Sequence, residues 1–192
     1  NGRLVTRRDV LMPTLLSAVS QYSAWAVPLS FLPILARQLG ADGVAQSGLV
    51  SLHIGLLTVG GLLAATLSAR FGARRLVYAG FLLLSAGIGA AALAPALPFV
   101  FLAEFFIGLG MGISYPVLMG LSIRNVDDAQ RTTAMGLHQA VYGIGMFAGP
   151  WLSGILADAA GLRPMLGLTA AGCLALGLFL IRLVPRREQP NT

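Results

Sequence analysis

From Val10 to Ala36 the chain carries no charged side chain, and the same holds from Gly43 to Ala69 and from Leu76 to Ala94. Uncharged stretches of this length limit the possible folds more than any other feature. A helix needs about 20 consecutive apolar residues to cross the hydrocarbon core of a bilayer. Only 10% of the 192 residues are Asp, Glu, Lys or Arg, and the mean hydropathy is +0.80. A soluble domain carries roughly 25% charged residues, so lipid is the expected solvent for most of this chain.

Three more apolar stretches follow. One runs from Phe99 to Ile123 and contains a single acid, Glu104; the next runs from Thr132 to Ala157, and the last from Pro164 to Val184. Two prolines in Ala94-Pro95-Ala96-Leu97-Pro98 mark a tight turn, because two prolines so close cannot sit inside one regular helix. The expected fold is an all-α membrane protein. Residues 1–192 form a single domain of six spans (10–36, 43–69, 76–94, 99–123, 132–157 and 164–184). Two three-helix units of inverted topology would build it, as in many secondary transporters.

The arginines set the orientation. Arg3, Arg7 and Arg8 precede the first span, and Arg70, Arg74 and Arg75 separate the second from the third. Arg124 and Arg131 separate the fourth from the fifth, and Arg182, Arg186 and Arg187 end the chain. These segments hold 11 of the 13 arginines, and only Arg37 and Arg163 lie on the other side. Both termini and the arginine-rich loops are expected in the cytoplasm, in a bacterial inner (plasma) membrane. The net charge of +6 is spread over these loops and forms no nucleic-acid-binding face. Cys173 has no second cysteine to pair with, and no metal-ligand spacing or cofactor motif occurs. No phosphate-binding loop occurs either, and Lys is absent, so ATP does not power the chain.

The segment Gly61-Leu62-Leu63-Ala64-Ala65-Thr66-Leu67-Ser68-Ala69-Arg70-Phe71-Gly72-Ala73-Arg74-Arg75 resembles the signature loop of the major facilitator superfamily, roughly G-x-x-x-D-R-x-G-R-R. Ala69 stands at the family's Asp, a residue that helps latch one conformation. The plain alternative is a glycine turn with arginines that anchor topology. In the fifth span, Gly136, Gly145, Gly149-Pro150 and Gly154 resemble the family's G-x8-G-x3-G-P-x2-G-G, with Ser153 the one departure. That pattern is associated with proton antiporters, and the resemblance implies proton-coupled transport, with efflux as one form. The physical reading is close packing, since Gly145 and Gly149 make a small-xxx-small face and Pro150 frees a carbonyl and allows a bend. In the fourth span Glu104, Gly108, Gly112, Pro116 and Gly120 form one stripe. The segment is similar to the family pattern R-x-x-Q-G-x-G-x-A, but Glu104 replaces its Arg and Ile107 its Gln, so the arginine's role does not carry over. Phe31-Leu32-Pro33 with Gln38-Leu39-Gly40 also fits the family, as does Asp158-Ala159-Ala160-Gly161-Leu162-Arg163.

A full family member has two six-helix halves. This chain reads as one, with the C-terminal half favoured because the first residue is not Met, the signature loop is degenerate and the end looks like a short tail. Its partners would be the lipid bilayer, the missing half and a small-molecule substrate. Family cavities are lined by the first, second, fourth and fifth helices of each half. On a rise of 1.5 Å per residue, Gln21, Trp25, His53, Glu104, His138, Gln139 and Tyr142 become the substrate-cavity candidates. For the His and Gln residues and for Glu104 a tie between helices is the bland alternative, and for Trp25 it is ordinary packing. Glu104 is also the proton-coupling candidate, since a carboxyl in a membrane helix is costly and functional by default, and His53 of the second span falls within a turn of its depth. Competing readings are a channel or subunit working as a symmetric dimer, and an intramembrane enzyme. The second would need a Ser in a glycine turn with a His at matching depth, and no G-x-S-x-G occurs. The substrate class stays open among drugs, sugars, amino acids and organic acids.

Overall fold

A backbone in lipid must satisfy its own hydrogen bonds, and a helix does so within one segment. The computed structural model describes residues 6–185, and its regular elements are all helical. Arg3, Arg186 and Arg187, expected from the sequence on the cytoplasmic side, lie outside the described residues. Helix α1 (Arg8–Ala26) runs through a π-helical turn (Val27–Phe31) into α2 (Leu32–Gln38). Then come α3 (Gly43–Phe71), α4 (Ala73–Leu93), α5 (Leu97–Ile123), α6 (Asp128–Ala160) and α7 (Leu162–Leu183).

Five of these, α3 to α7, are long and apolar enough to cross a membrane. The expected spans coincide with them, but the helices overrun several ends, most of all in α6, which starts at Asp128 and ends at Ala160. The first expected span differs in kind. Thr14, Ser17, Ser20, Gln21 and Ser23 are buried on α1, which packs against α5, α6 and α7. A helix that faces other helices can carry this polar stripe where a lipid-facing one cannot. The π turn has a local cause. Pro28 has no N–H to give the carbonyl four residues back, and Pro33 repeats the loss one turn later. The Ser30 hydroxyl donates to the Trp25 carbonyl at 2.7 Å, which satisfies one group in the widened turn.

Glycine contacts reveal the pairing. A Cβ on Gly149 would lie 2.5 Å from the Tyr22 carbonyl, and one on Gly145 would strike the carbonyl of Ala18, so α1 and α6 run parallel at near backbone contact. Gly60, Gly108 and Gly112 do the same for α3 and α5: a Cβ on Gly112 would lie 2.7 Å from the Leu57 carbonyl, and one on Gly60 would lie 2.9 Å from the Gly112 Cα. Helix α4 packs antiparallel on α5 and on α7, through Gly80 and Gly87 and through Gly177.

Single glycines make two of the turns. Gly72 (φ 86) joins α3 to α4 and Gly161 (φ 94) joins α6 to α7, in a backbone region that other residues rarely adopt. Arg7 donates to the Asn125 carbonyl at 2.8 Å, and Arg74 to the Val184 carbonyl at 3.2 Å. These contacts gather the start of α1, the α3–α4 turn, the α5–α6 loop and the end of α7 at one end of the bundle. At the other end Arg163 donates to the carbonyls of Ala92 and Ala94 at 2.9 and 2.7 Å, closing the C-terminus of α4.

Candidate functional site

Glycine places the one acid within the apolar spans. Gly108 and Gly112 let α5 lie against α3, and Glu104 stands one turn along the same face. There His53 Nδ1 lies 2.5 Å from Glu104 Oε1. The side chains are 5% and 1% exposed, so water does not screen the contact. It needs one proton, held on the ring or on the carboxyl. The second carboxyl oxygen, Oε2, is buried without a hydrogen-bond partner among the described residues. An ionised Glu104 would thus leave an anionic oxygen with no donor, a costly arrangement.

The other buried candidates lie against α1 or on it. His138 is fully buried, and its Nδ1 stands 3.4 Å from Thr14 Oγ1. The Thr14 hydroxyl already donates to the Val10 carbonyl at 2.7 Å, so Nδ1 carries the proton of that contact. Nε2 of His138 is then a buried acceptor with no partner among the described residues. Gln21 is buried on α1.

The remaining three face outward. Trp25 is 37% exposed at the start of the π turn, Gln139 is exposed, and Tyr142 is half-buried. Tyr142 meets Tyr115 of α5, with ring centroids 5.9 Å apart at an interplanar angle of 35°. The Tyr115 hydroxyl also lies near the Gln139 side chain, which completes a small aromatic and amide cluster. Sequence reasoning missed Tyr115. It precedes Pro116 of the glycine stripe, and that adjacency was the available signal. In the sequence Ser153 stands out only as a departure from a motif. In the structure Ser153 is buried, and its hydroxyl hydrogen-bonds the Tyr22 hydroxyl at 2.9 Å, tying α6 to α1.

Thus seven candidates fall into separate places. His53 and Glu104 touch, Gln139 and Tyr142 meet through Tyr115, and Gln21, Trp25 and His138 stand apart. Of the packing motif, Gly145 and Gly149 are sealed against α1. Gly136 faces open space, a Cβ on Gly154 would make only an ordinary contact with the Phe31 ring at 3.8 Å, and Pro150 sits within the unbroken α6. The signature-loop residues Gly61, Gly72, Arg74 and Arg75 line one cavity, and Arg70 lies 5.3 Å over the Phe71 ring beside it.

Solved structures share this arrangement. Peptide transporter POT in complex with sulfate matches with a TM-score of 0.76 and 22% identity, over 91% of this chain and 37% of that one. A point mutant of that transporter bound to sulfate gives 0.76, 22%, 90% and 37%, and the mutant bound to alafosfalin gives 0.72, 23%, 91% and 37%. At such identity the likeness is one of fold. The chain spans little more than a third of the length of those transporters, which fits one half of such a molecule. The Major Facilitator Superfamily profile matches residues 14–192, nearly the whole chain. An all-helical bundle with parallel glycine seams, five helices able to cross a membrane and a family match of that extent lead to one conclusion: the chain belongs to the Major Facilitator Superfamily of membrane transporters.

Proposed function

We propose that this chain is one six-helix half of a secondary transporter that moves a small molecule by alternating access, coupled to protons through Glu104. The α1–α2 rod supplies the sixth span, both termini face the cytoplasm, and the site of action is a bacterial inner membrane. The two three-helix units, α1 to α4 and α5 to α7, are inverted repeats. The observation that carries the coupling is the buried Glu104–His53 contact between two parallel helices, with a second carboxyl oxygen left unpartnered. A site that binds and releases a proton as access alternates needs a carboxyl held between helices, and Glu104 is held in this way at the α3–α5 glycine seam.

Helices α3 and α6 support a missing partner half. Only 22% and 17% of their apolar cores are buried, against 56% in α4 and α5. Their free faces carry Trp151, Phe147, Leu62 and Ile54, all exposed. A second half covers them and closes the substrate cavity. In that cavity Trp25, Gln139 and Tyr142 are the substrate contacts, while the buried Gln21, His53 and His138 act from behind the surface as ties between helices. The glycine–proline pattern of α6 supports exchange of a substrate for protons, hence efflux.

Glu104→Gln in the full-length transporter tests the coupling. Gln keeps the size and the hydrogen bonding but does not titrate. The variant should retain substrate exchange and lose accumulation driven by a pH gradient. Uphill transport at normal rates would show that Glu104 is only a tie between helices.

A further inference from the structure

A cavity of about 1060 Å³ opens at the arginine-rich end of the bundle, between α3, α4, α5 and the end of α7. It shares no residue with the Glu104–His53 contact. Three of its lining side chains are Arg74, Arg75 and Arg124, and no lining residue is an acid. Arg74 is committed: it donates to the carbonyls of Val184 and Arg182 at 3.2 and 3.4 Å and lies 5.9 Å from the Tyr78 ring centroid. Arg75 and Arg124 are exposed and make no hydrogen bond or ion pair among the described residues.

The walls below these arginines are of another kind. Val117 and Leu121 of α5 are buried apolar residues facing the small side chains of α3. Glycines widen the space: a Cβ on Gly120 would meet nothing within 4 Å, and one on Gly61 only the Gly112 carbonyl at 4.0 Å. Cationic groups at the helix ends thus stand above an apolar slot that runs toward the membrane interior. The volume lies at the top of the range of roughly 300–1,000 Å³ for small-ligand sites, far more than one inorganic anion fills.

We propose that this cavity binds an anionic phospholipid, with its phosphate on Arg75 and Arg124 and an acyl chain between α3 and α5. Charge complementarity selects the headgroup, because the site offers guanidinium groups and no carboxylate to repel a phosphate. Arginine meets a phosphate with two parallel hydrogen bonds, and basic pockets between membrane helices on the cytoplasmic side suit such headgroups. The apolar slot selects a lipid over a free phosphate. A zwitterionic lipid brings its own cation to the rim and binds less well. This assignment stands apart from proton coupling, and either can fail alone.

The test is native mass spectrometry of the full-length transporter, extracted from bilayers of phosphatidylcholine containing a minor fraction of phosphatidylglycerol. The protein should retain phosphatidylglycerol about tenfold above its bulk share. The double variant Arg75→Gln, Arg124→Gln should fall to near the bulk share. Arg131→Gln, which alters an arginine paired with Asp128 at 2.9 Å outside the cavity, should keep the preference. A Cβ at Gly120 meets nothing within 4 Å, so Gly120→Leu, which extends a side chain into the slot, should lower retention of both lipids, with circular dichroism confirming that the protein stays folded. Equal retention of the two lipids by the unaltered protein overturns the proposal, as does a preference that survives the double variant. Displacement of the lipid by millimolar inorganic phosphate would mean a free-anion site and would overturn it too.

Discussion

Gly149→Ala should loosen the α1–α6 seam by a margin that the contacts set. The added Cβ would lie 2.5 Å from the Tyr22 carbonyl oxygen and 3.2 Å from the Ala26 nitrogen, both backbone atoms that no rotamer change can move. Ordinary contact begins near 3.4 Å, so the helices must part by roughly 0.9 Å. The Tyr22–Ser153 hydrogen bond spans the same seam at 2.9 Å. The same displacement carries it to roughly 3.8 Å, beyond hydrogen-bonding range. Overpacking costs about 1–3 kcal/mol, and the lost hydrogen bond about 1 kcal/mol. Replacing Gly by Ala inside a helix returns about 0.5–1 kcal/mol, which leaves a net loss of about 2 kcal/mol. Gly136→Ala is the control on the same helix. Its Cβ meets nothing within 4 Å, so only the helix-propensity gain applies and the variant should be as stable as the parent or slightly more. Unfolding of the full-length transporter in detergent, followed by circular dichroism, compares the two. If Gly149→Ala proves as stable as Gly136→Ala, the seam is not the close contact described.

Three further outcomes are expected. Single cysteines near Asp42 and Gly161 should react with an impermeant thiol reagent on intact cells, whereas cysteines near Gly72 and Asp128 should not; the reverse pattern overturns the proposed orientation. Arg7 donates to Asp9 at 2.7 Å, and that hydrogen bond holds the Asp9 carboxyl below its ordinary value of 3.8. A lowered folded-state value gives stability above 3.8 that disappears as pH falls through the folded value; Asp9→Asn should therefore lower the melting temperature at neutral pH, and the difference should vanish in strong acid. The purified chain in liposomes, without a second half, should show no concentrative uptake, because one half offers a face and no opposite wall; uptake would instead point to a symmetric dimer.

Much of this protein follows from its sequence because lipid is a demanding solvent. The membrane class follows from apolar runs between arginines, and the runs lie within a few residues of α3 to α7. Gly72 and the Pro95–Pro98 turn could be read as breaks because glycine and proline act on their own backbone. The arginine pattern named the end of the bundle where Arg7, Arg74 and Arg124 gather. Hydropathy, however, records what surrounds a segment and not how the helix is rotated about its axis. A rise of 1.5 Å per residue does put His53 and Glu104 within a turn of the same depth, but depth alone does not say that side chains 51 residues apart touch. Small-xxx-small spacing marked Gly145 and Gly149 as a packing face, but it could not say that α1 is what seals that face or that Gly136 on the same helix faces open space. The polar stripe on α1 left its span out of the apolar set, since its neighbours are helices and not lipid. Tyr115 and Ser153 acquired their roles only when Tyr142 and Tyr22 came to meet them from other helices. Spacing along one chain fixes which residues share a helix face, whereas the partner opposite that face depends on how close glycine allows two backbones to come.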